Sequence, residues 1–418
     1  MNVHTLPNGV RVVADPVPGF ETLALCVVAG RGARTEDAGR AGWAHLLEHM
    51  VFKGAGERSA RDVVEAIEAE GGSINAATGY ERTSFQVRGL AGGLKLGMEV
   101  VADLMLRPTL DGADLAQEVG VIAQEIAEAA DTPDDFVFEL AQGAAFAGQP
   151  LGRPVLGTEA SIGAASPATL ETWRAQLYAP GQLVVSAAGA VDEAELLGLA
   201  ERLYGDAASA DGPPPEPATF AGGRATEKRR LEQAHLVFLL PGVGALDPDY
   251  FAQRLFTEAL GGGMSSRLFQ EARERLGLAY AIDAFAEAYQ DTGMLGVYAG
   301  CAAKDASGLA KVVAAEFRKL AGGIGAAELA RAKAQLKAAL FMARESLSAR
   351  AEQAAAQLHV FGRLLATHEI AERIDAVSAA DIGRFAARVT ASGLSAPAVL
   401  GPAAALGAAD AFHEALFA

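Results

Sequence analysis

The stretch His45-Leu46-Leu47-Glu48-His49-Met50-Val51-Phe52-Lys53-Gly54 carries the most specific pattern in the chain. Two histidines four positions apart lie one helical turn apart on one face, so both imidazoles can reach a single metal ion. Glu48 lies on the same face, and a carboxylate beside two histidine ligands serves as the proton acceptor in zinc hydrolases. The apolar residues between them recur at helical spacing, which predicts that this helix packs into a core.

A catalytic zinc site needs a third protein ligand, and Glu125 is the candidate. Glu118 and Glu125 are seven residues apart, about two turns, so they share one face of a predicted helix. Val121 and Ile122 make that region apolar, and a carboxylate among apolar neighbours requires a partner. We predict Glu125 as the third ligand and Glu118 as the residue that orients a histidine or the water. An ordinary acidic helix surface is the open alternative for both.

The composition is that of a globular protein with more than one domain. The chain has 418 residues, of which 51% are hydrophobic and 21% charged, and its net charge is −17. This acidity argues against nucleic-acid binding. Cys26 and Cys301 lie in separate apolar segments, which predicts two buried thiols. Neither a signal peptide, nor a transit peptide, nor a membrane helix is visible, so we expect a cytoplasmic protein.

A proline-rich stretch, Gly212-Pro213-Pro214-Pro215-Glu216-Pro217, predicts an extended linker. We therefore predict domains at residues 1–207 and 228–418, joined by a linker over 208–227. Both halves show the same order of strands and helices, which predicts two similar α+β domains, each with a mostly antiparallel sheet packed against helices. Gln253 and Thr257 stand in the second half where the first has its two motif histidines, so only the first half should bind metal.

These motifs resemble the pitrilysin/insulinase-type zinc peptidases, most closely the branch of mitochondrial processing peptidase and its bacterial relatives. The resemblance covers nearly the whole chain and rests on residues 45–54, 118–126, 150–158, 261–269 and 273–280. It implies the duplicated α+β fold already predicted. It also implies that His45, His49 and Glu125 hold one Zn²⁺ per chain, and that Glu48 is the general base that takes the proton from the attacking water.

Further site residues follow only from the resemblance. Arg273 and Tyr280, from the second half, correspond to a pair that grips substrate near the scissile bond, and we predict them as catalytic and substrate-binding. The segment from Ser73 to Ala76 resembles the edge strand of the family, which binds an extended peptide through main-chain hydrogen bonds. Asn75 and Ala76 are therefore predicted to bind substrate. A structural asparagine at a strand end is the alternative for Asn75.

The leading prediction is a zinc-dependent endopeptidase that cleaves short unfolded peptides or extended protein ends. The net charge of −17 favours basic peptides. A half-length chain that keeps both the metal motif and the Arg/Tyr pair implies a homodimer that forms a closed chamber, without nucleic acid or membrane. The alternative function is a non-catalytic structural or peptide-binding subunit of a family heterodimer or complex. A third possibility is an active chain that needs an unlike partner.

Overall fold

The computed structural model describes residues 1–208, 212 and 214–418, so residues 209–211 and Pro213 of the predicted linker lie outside the described part. The strands are β1 (Asn2–Thr5), β2 (Arg11–Pro16), β3 (Thr22–Ala29), β4 (Gly54–Ala55), β5 (Arg58–Ser59), β6 (Ser73–Thr78), β7 (Thr83–Leu90), β8 (Leu183–Gly189), β9 (Ala225–Lys228), β10 (Ala234–Gly242), β11 (Ala281–Ala288), β12 (Gly293–Cys301) and β13 (Ala396–Gly401). The α-helices are α1 (Trp43–Val51), α2 (Ala60–Ala69), α3 (Leu94–Leu106), α4 (Gly112–Asp131), α5 (Pro133–Ala145), α6 (Glu159–Ile162), α7 (Pro167–Leu177), α8 (Glu193–Tyr204), α9 (Tyr250–Gly261), α10 (Ala306–Ala321), α11 (Ala326–Ala343), α12 (Leu347–Phe361), α13 (Thr367–Ala376), α14 (Ala379–Ala391) and α15 (Ala408–Phe417).

The chain forms two compact units, of which unit 1 comprises Met1–Ala127, Pro154–Glu216 and Met342–Leu364. Its six-stranded sheet has the order β1-β2-β8-β3-β7-β6, with β2 parallel to β8 and the other neighbours antiparallel. Successive side chains of a strand point to opposite faces, and both faces of this sheet are covered. Leu25 and Val27 face the main core with α1 and α3, whereas Cys26 and Val28 face α12. The central strand is therefore apolar throughout rather than alternating.

Unit 2 comprises Glu128–Arg153, Pro217–Phe341 and Leu365–Ala418. Its five-stranded sheet has the order β11-β12-β10-β13-β9, with β9 parallel to β13 and the other neighbours antiparallel. Helix α5 covers one face, where the Phe138 ring lies 5.4 Å from the rings of Phe285 and Tyr298. Helices α9, α10, α14 and α15 form the core on the other face.

The two sheets share one topology, which confirms the predicted α+β fold with two similar domains. Strands β2, β3, β6, β7 and β8 correspond in order and direction to β9, β10, β11, β12 and β13. Each unit also contains one helix from the other half of the sequence. Helix α5, from the first half, belongs to unit 2, and α12, from the second half, belongs to unit 1. The division at residues 208–227 stays a prediction, and the units differ from it in these two segments.

The two cysteines are buried free thiols, as predicted. Burial raises the pKa of Cys26 to about 12 and that of Cys301 to about 11, so both stay protonated and unreactive at neutral pH. Within the described residues, we find no helix with the length and hydrophobicity needed to cross a membrane.

Candidate metal centre

Helix α1 is fixed at its N-terminus by a buried carboxylate. Glu36 accepts hydrogen bonds from the backbone N–H groups of Gly42 (2.8 Å) and Ala44 (2.6 Å), two donors that the helix itself leaves unsatisfied. Gly42 has a φ of 86°, and a Cβ there would lie 2.4 Å from the carbonyl oxygen of Leu156, so a larger residue does not fit. These contacts set the direction in which the helix enters the core.

The apolar side of α1 determines where its polar residues point. The residues buried on this helix are Trp43, Ala44, Leu46, Leu47, Met50 and Val51. Since these occupy the core, His45, Glu48 and His49 fall on the adjoining, half-buried side. The predicted helix and its orientation are thus present.

Helix α4 presents the two predicted carboxylates on one face. Leu115 and Ile122 are buried in the core of unit 1 and lie on the same stripe as Glu118 and Glu125. Burial of the two apolar residues directs both carboxylates toward α1. Glu118 is almost fully buried, whereas Glu125 is about one-third exposed.

The structure brings the three predicted ligands of unit 1 together. One oxygen of Glu125, Oε2, lies 3.8 Å from His45 Nε2 and 3.6 Å from His49 Nε2, and the three donor atoms all lie within 4.8 Å of one another. In a tetrahedral zinc site with bonds of ~2.05 Å, neighbouring donors are ~3.3 Å apart. The donor set and its spacing therefore fit a divalent metal ion, and no other such cluster of three occurs among the described residues.

His45 is suited to ligation because its environment keeps the ring neutral. Burial, helped by the nearby His49, lowers the pKa of His45 to about 4. A neutral imidazole keeps the lone pair that a metal requires. Its other nitrogen, Nδ1, is buried and has no hydrogen-bond partner among the described residues.

His49 differs from His45 in having a charged support. Its Nδ1 lies 3.0 Å from Glu118 Oε2, and the other oxygen of Glu118 lies 2.6 Å from Lys53 Nζ. Burial acts to raise the pKa of Glu118, but the contacts with Lys53 and His49 outweigh it and leave the pKa lowered. The carboxylate is thus ionised and contacts His49, and its predicted role in orienting this histidine stays a prediction.

Glu48 is held by a threonine from the sheet. Thr78 Oγ1, at the end of β6, donates a hydrogen bond of 2.6 Å to Glu48 Oε2. Burial raises the pKa of Glu48, and the bond from Thr78 opposes that rise. The carboxylate is therefore oriented and has a raised proton affinity, two properties that a general base needs.

Asn75 and Ala76 lie on β6, which is an edge strand of the unit 1 sheet, as predicted. Asn75 is exposed and pairs in register with Gln86 of β7, whereas Ala76 is buried in the core against Phe85. An edge strand can add a further strand, and β6 ends at Thr78 beside the carboxylate of Glu48. That either residue binds substrate stays a prediction.

Arg273 and Tyr280 belong to unit 2. Arg273 lies in a π-helix, Phe269–Arg275, with its guanidinium 4.7 Å from the centre of the Phe269 ring. Tyr280 directly precedes the edge strand β11. It is 66% exposed to solvent, a large fraction for an aromatic residue. Both side chains are exposed to solvent. That they act together with the predicted metal ligands of unit 1 stays a prediction.

In unit 2, the counterparts of the motif histidines have structural partners instead. Gln253 is buried, and its Oε1 accepts a hydrogen bond of 2.7 Å from the N–H of Val243. Thr257 is buried as well and donates to the carbonyl oxygen of Gln253. These residues stabilise α9 and its neighbours, and the expectation that only the first half binds metal stays a prediction.

Thr78, Lys53 and Glu36 contribute to the site without having been predicted. Lys53 stands inside the motif stretch, four residues after His49, and the sequence signal was therefore present. Thr78 lies two residues beyond the predicted edge segment, Ser73 to Ala76, and a threonine near a strand is too common to signal a role. Glu36 lies in a loop, and its capping of α1 is visible only in three dimensions.

The chain is similar to known proteins over most of its length. Residues 11–159 match the family model described as Insulinase (Peptidase family M16), and residues 164–336 match the one described as Peptidase M16 inactive domain. A protein of Rickettsia bellii named as an uncharacterized zinc protease is 35% identical over 96% of this chain and 97% of its own length.

Two solved structures share the fold over nearly their whole length. A protease from Helicobacter pylori superposes with a TM-score of 0.88 at 22% identity, covering 96% of this chain and 99% of that one. A chain of Complex III2 from Candida albicans gives 0.87 at 19% identity, covering 99% of each chain. The relatives have this chain's length, which agrees with a half-size bacterial member. The chain therefore belongs to the insulinase family of peptidases, peptidase family M16.

Proposed function

We propose that this protein is a zinc-dependent endopeptidase that cleaves short unfolded peptides or the extended ends of proteins. The observation that carries the proposal is the convergence of His45, His49 and Glu125 beside a carboxylate, Glu48, that a hydrogen bond holds in place. Relatives of matching length named as zinc proteases support zinc as the metal. The cluster of three donors found among the described residues supports one ion per chain.

The chemistry divides between the metal and the side chains. When bound, zinc polarises the peptide carbonyl group and lowers the pKa of water. Glu48 accepts the proton of the attacking water and passes it to the leaving amine. Its raised pKa, caused by burial, suits both steps, because the group must first accept and then release a proton.

Peptide binding is assigned to β6 and to the pair in unit 2. A substrate strand added to β6 places its backbone along the strand that ends at Thr78, and Thr78 contacts the base. Arg273 and Tyr280, both exposed at the side chain, supply cationic and phenolic donors for a carbonyl or an oxyanion. The net charge of −17 favours basic peptides.

The test is hydrolysis of a quenched fluorescent basic peptide by the wild-type protein and by Glu48→Gln. Metal content is measured in both, and Glu68→Gln, an exposed glutamate on α2, is the matched control. We expect the wild type and the control to cleave, and Glu48→Gln to retain metal but lose activity. Peptide binding without cleavage by a metal-loaded wild type would favour the non-catalytic subunit instead.

Assembly is a separate part of the proposal. We propose a homodimer that encloses the peptide, because the chain keeps both the metal motif and the Arg/Tyr pair. Light scattering on the purified protein gives the mass of the particle directly. A protein that stays monomeric under the conditions of the assay and still cleaves the peptide would refute this part.

A further inference from the structure

Lys53 has no role in the proposed mechanism, but it contacts the metal centre through Glu118. It lies two residues after the end of α1, and its Nζ lies 2.6 Å from Glu118 Oε1. The side chain of Lys53 is 29% exposed, whereas that of Glu118 is 3% exposed. A carboxylate so deeply buried is unstable unless a charge and hydrogen bonds compensate it.

The two oxygens of Glu118 face two different groups. Oε1 meets Lys53, and Oε2 meets Nδ1 of His49 at 3.0 Å. A carboxylate oxygen accepts a hydrogen bond from an imidazole N–H, so this contact suits the tautomer in which Nδ1 carries the proton of the His49 ring. The remaining nitrogen, Nε2, then presents its lone pair on the side of Glu125, 3.6 Å away.

We propose that Lys53 is a positioning residue of the metal centre. By holding the Glu118 carboxylate in one orientation, it fixes the direction of the His49 ring and so raises metal affinity. The proposal rests on the metal site of the proposed function. His49 is the ligand on which it acts, because His45 Nδ1 has no comparable partner among the described residues.

The observable is the affinity for zinc, measured by competition with a chromophoric chelator, and not turnover. Loss of an outer partner of a metal-binding histidine commonly weakens metal binding about 10–100-fold. We therefore expect Lys53→Met to weaken zinc binding by roughly 10-fold, and Lys53→Arg, which keeps the charge, to recover most of that loss. Lys95→Met, an exposed lysine on α3, is the matched control and should bind like the wild type.

A double-mutant cycle separates this role from a general structural one. If Lys53 acts through Glu118, Lys53→Met should have little further effect on zinc affinity in a Glu118→Gln background. Cobalt-substituted protein gives a second readout, because a change in the His49 ligand alters the visible absorption bands. Far-ultraviolet circular dichroism of every variant shows whether the fold is kept.

Two results would overturn the inference. One is a folded Lys53→Met variant whose zinc affinity stays within twofold of the wild type. The other is a loss that persists undiminished in the Glu118→Gln background. A wild type that binds zinc but cleaves no peptide would refute the proposed function and leave this inference standing, whereas a wild type that binds no metal would overturn both.

Discussion

Replacing Thr78 by valine tests how the edge strand and the base are connected. Valine has nearly the shape of threonine but cannot donate a hydrogen bond. The change therefore removes the 2.6 Å bond from Oγ1 to Glu48 Oε2, together with a longer contact of 3.4 Å to the carbonyl oxygen of Ala44. The acceptor of this bond, Glu48, is not one of the three predicted metal ligands. Metal content should therefore stay constant while the chemistry changes.

The size of the effect follows from the charge on Glu48. A hydrogen bond to a charged group contributes about 1.5–3 kcal/mol, and each ~1.4 kcal/mol of transition-state stabilisation is tenfold in rate. We expect kcat to fall by roughly 10–100-fold, with a smaller change in KM. Since the bond favours the ionised form, its loss also raises the pKa of Glu48 further, and the acid limb of the kcat profile should move to higher pH.

The assay is steady-state cleavage of the fluorescent peptide across pH, with bound metal measured for each sample. Thr78→Ser keeps the hydroxyl and should retain most of the activity, and Thr172→Val, an exposed threonine on α7, is the control. The reasoning is wrong if Thr78→Val keeps kcat within twofold of the wild type, or if Thr78→Ser is as slow as Thr78→Val.

Three further outcomes follow from the structure. Asp15 is 4% exposed and accepts two hydrogen bonds from Arg350 of α12. Arg350→Met should therefore lower the free energy of unfolding, measured by urea titration, by about 3–5 kcal/mol, and a loss below about 1 kcal/mol would contradict this. Burial beside Arg11 lowers the pKa of His359 from 6.5 to about 4. Between pH 4 and pH 6.5 the unfolded chain therefore binds more protons than the folded chain. The free energy of unfolding should rise by about 3 kcal/mol over this range and then level off. A His359→Gln variant with the same pH dependence would refute that assignment. Chelation should abolish cleavage and added zinc restore it, whereas Glu125→Gln should bind zinc at least tenfold more weakly, measured by chelator competition.

Much of the metal centre could be predicted because its geometry is local. The spacing of His45, Glu48 and His49 places them on one side of any helix that forms there, and the buried side of α1 has the predicted residues. The same holds for Glu118 and Glu125 on α4. The duplication was equally visible, because each half repeats the order of strands and helices that produces its sheet.

The contacts that complete the site were decided by tertiary structure. The sequence determined by itself the α+β fold, the repeated topology and the faces of α1 and α4, since helical and strand periodicity depend only on neighbouring residues. It did not determine that Thr78 meets Glu48, because that contact joins a strand end to a helix through packing of the core. Nor did it determine that α12 belongs to unit 1, because a stripe of alanine and leucine can cover either sheet, and only the burial available in the folded chain selects one.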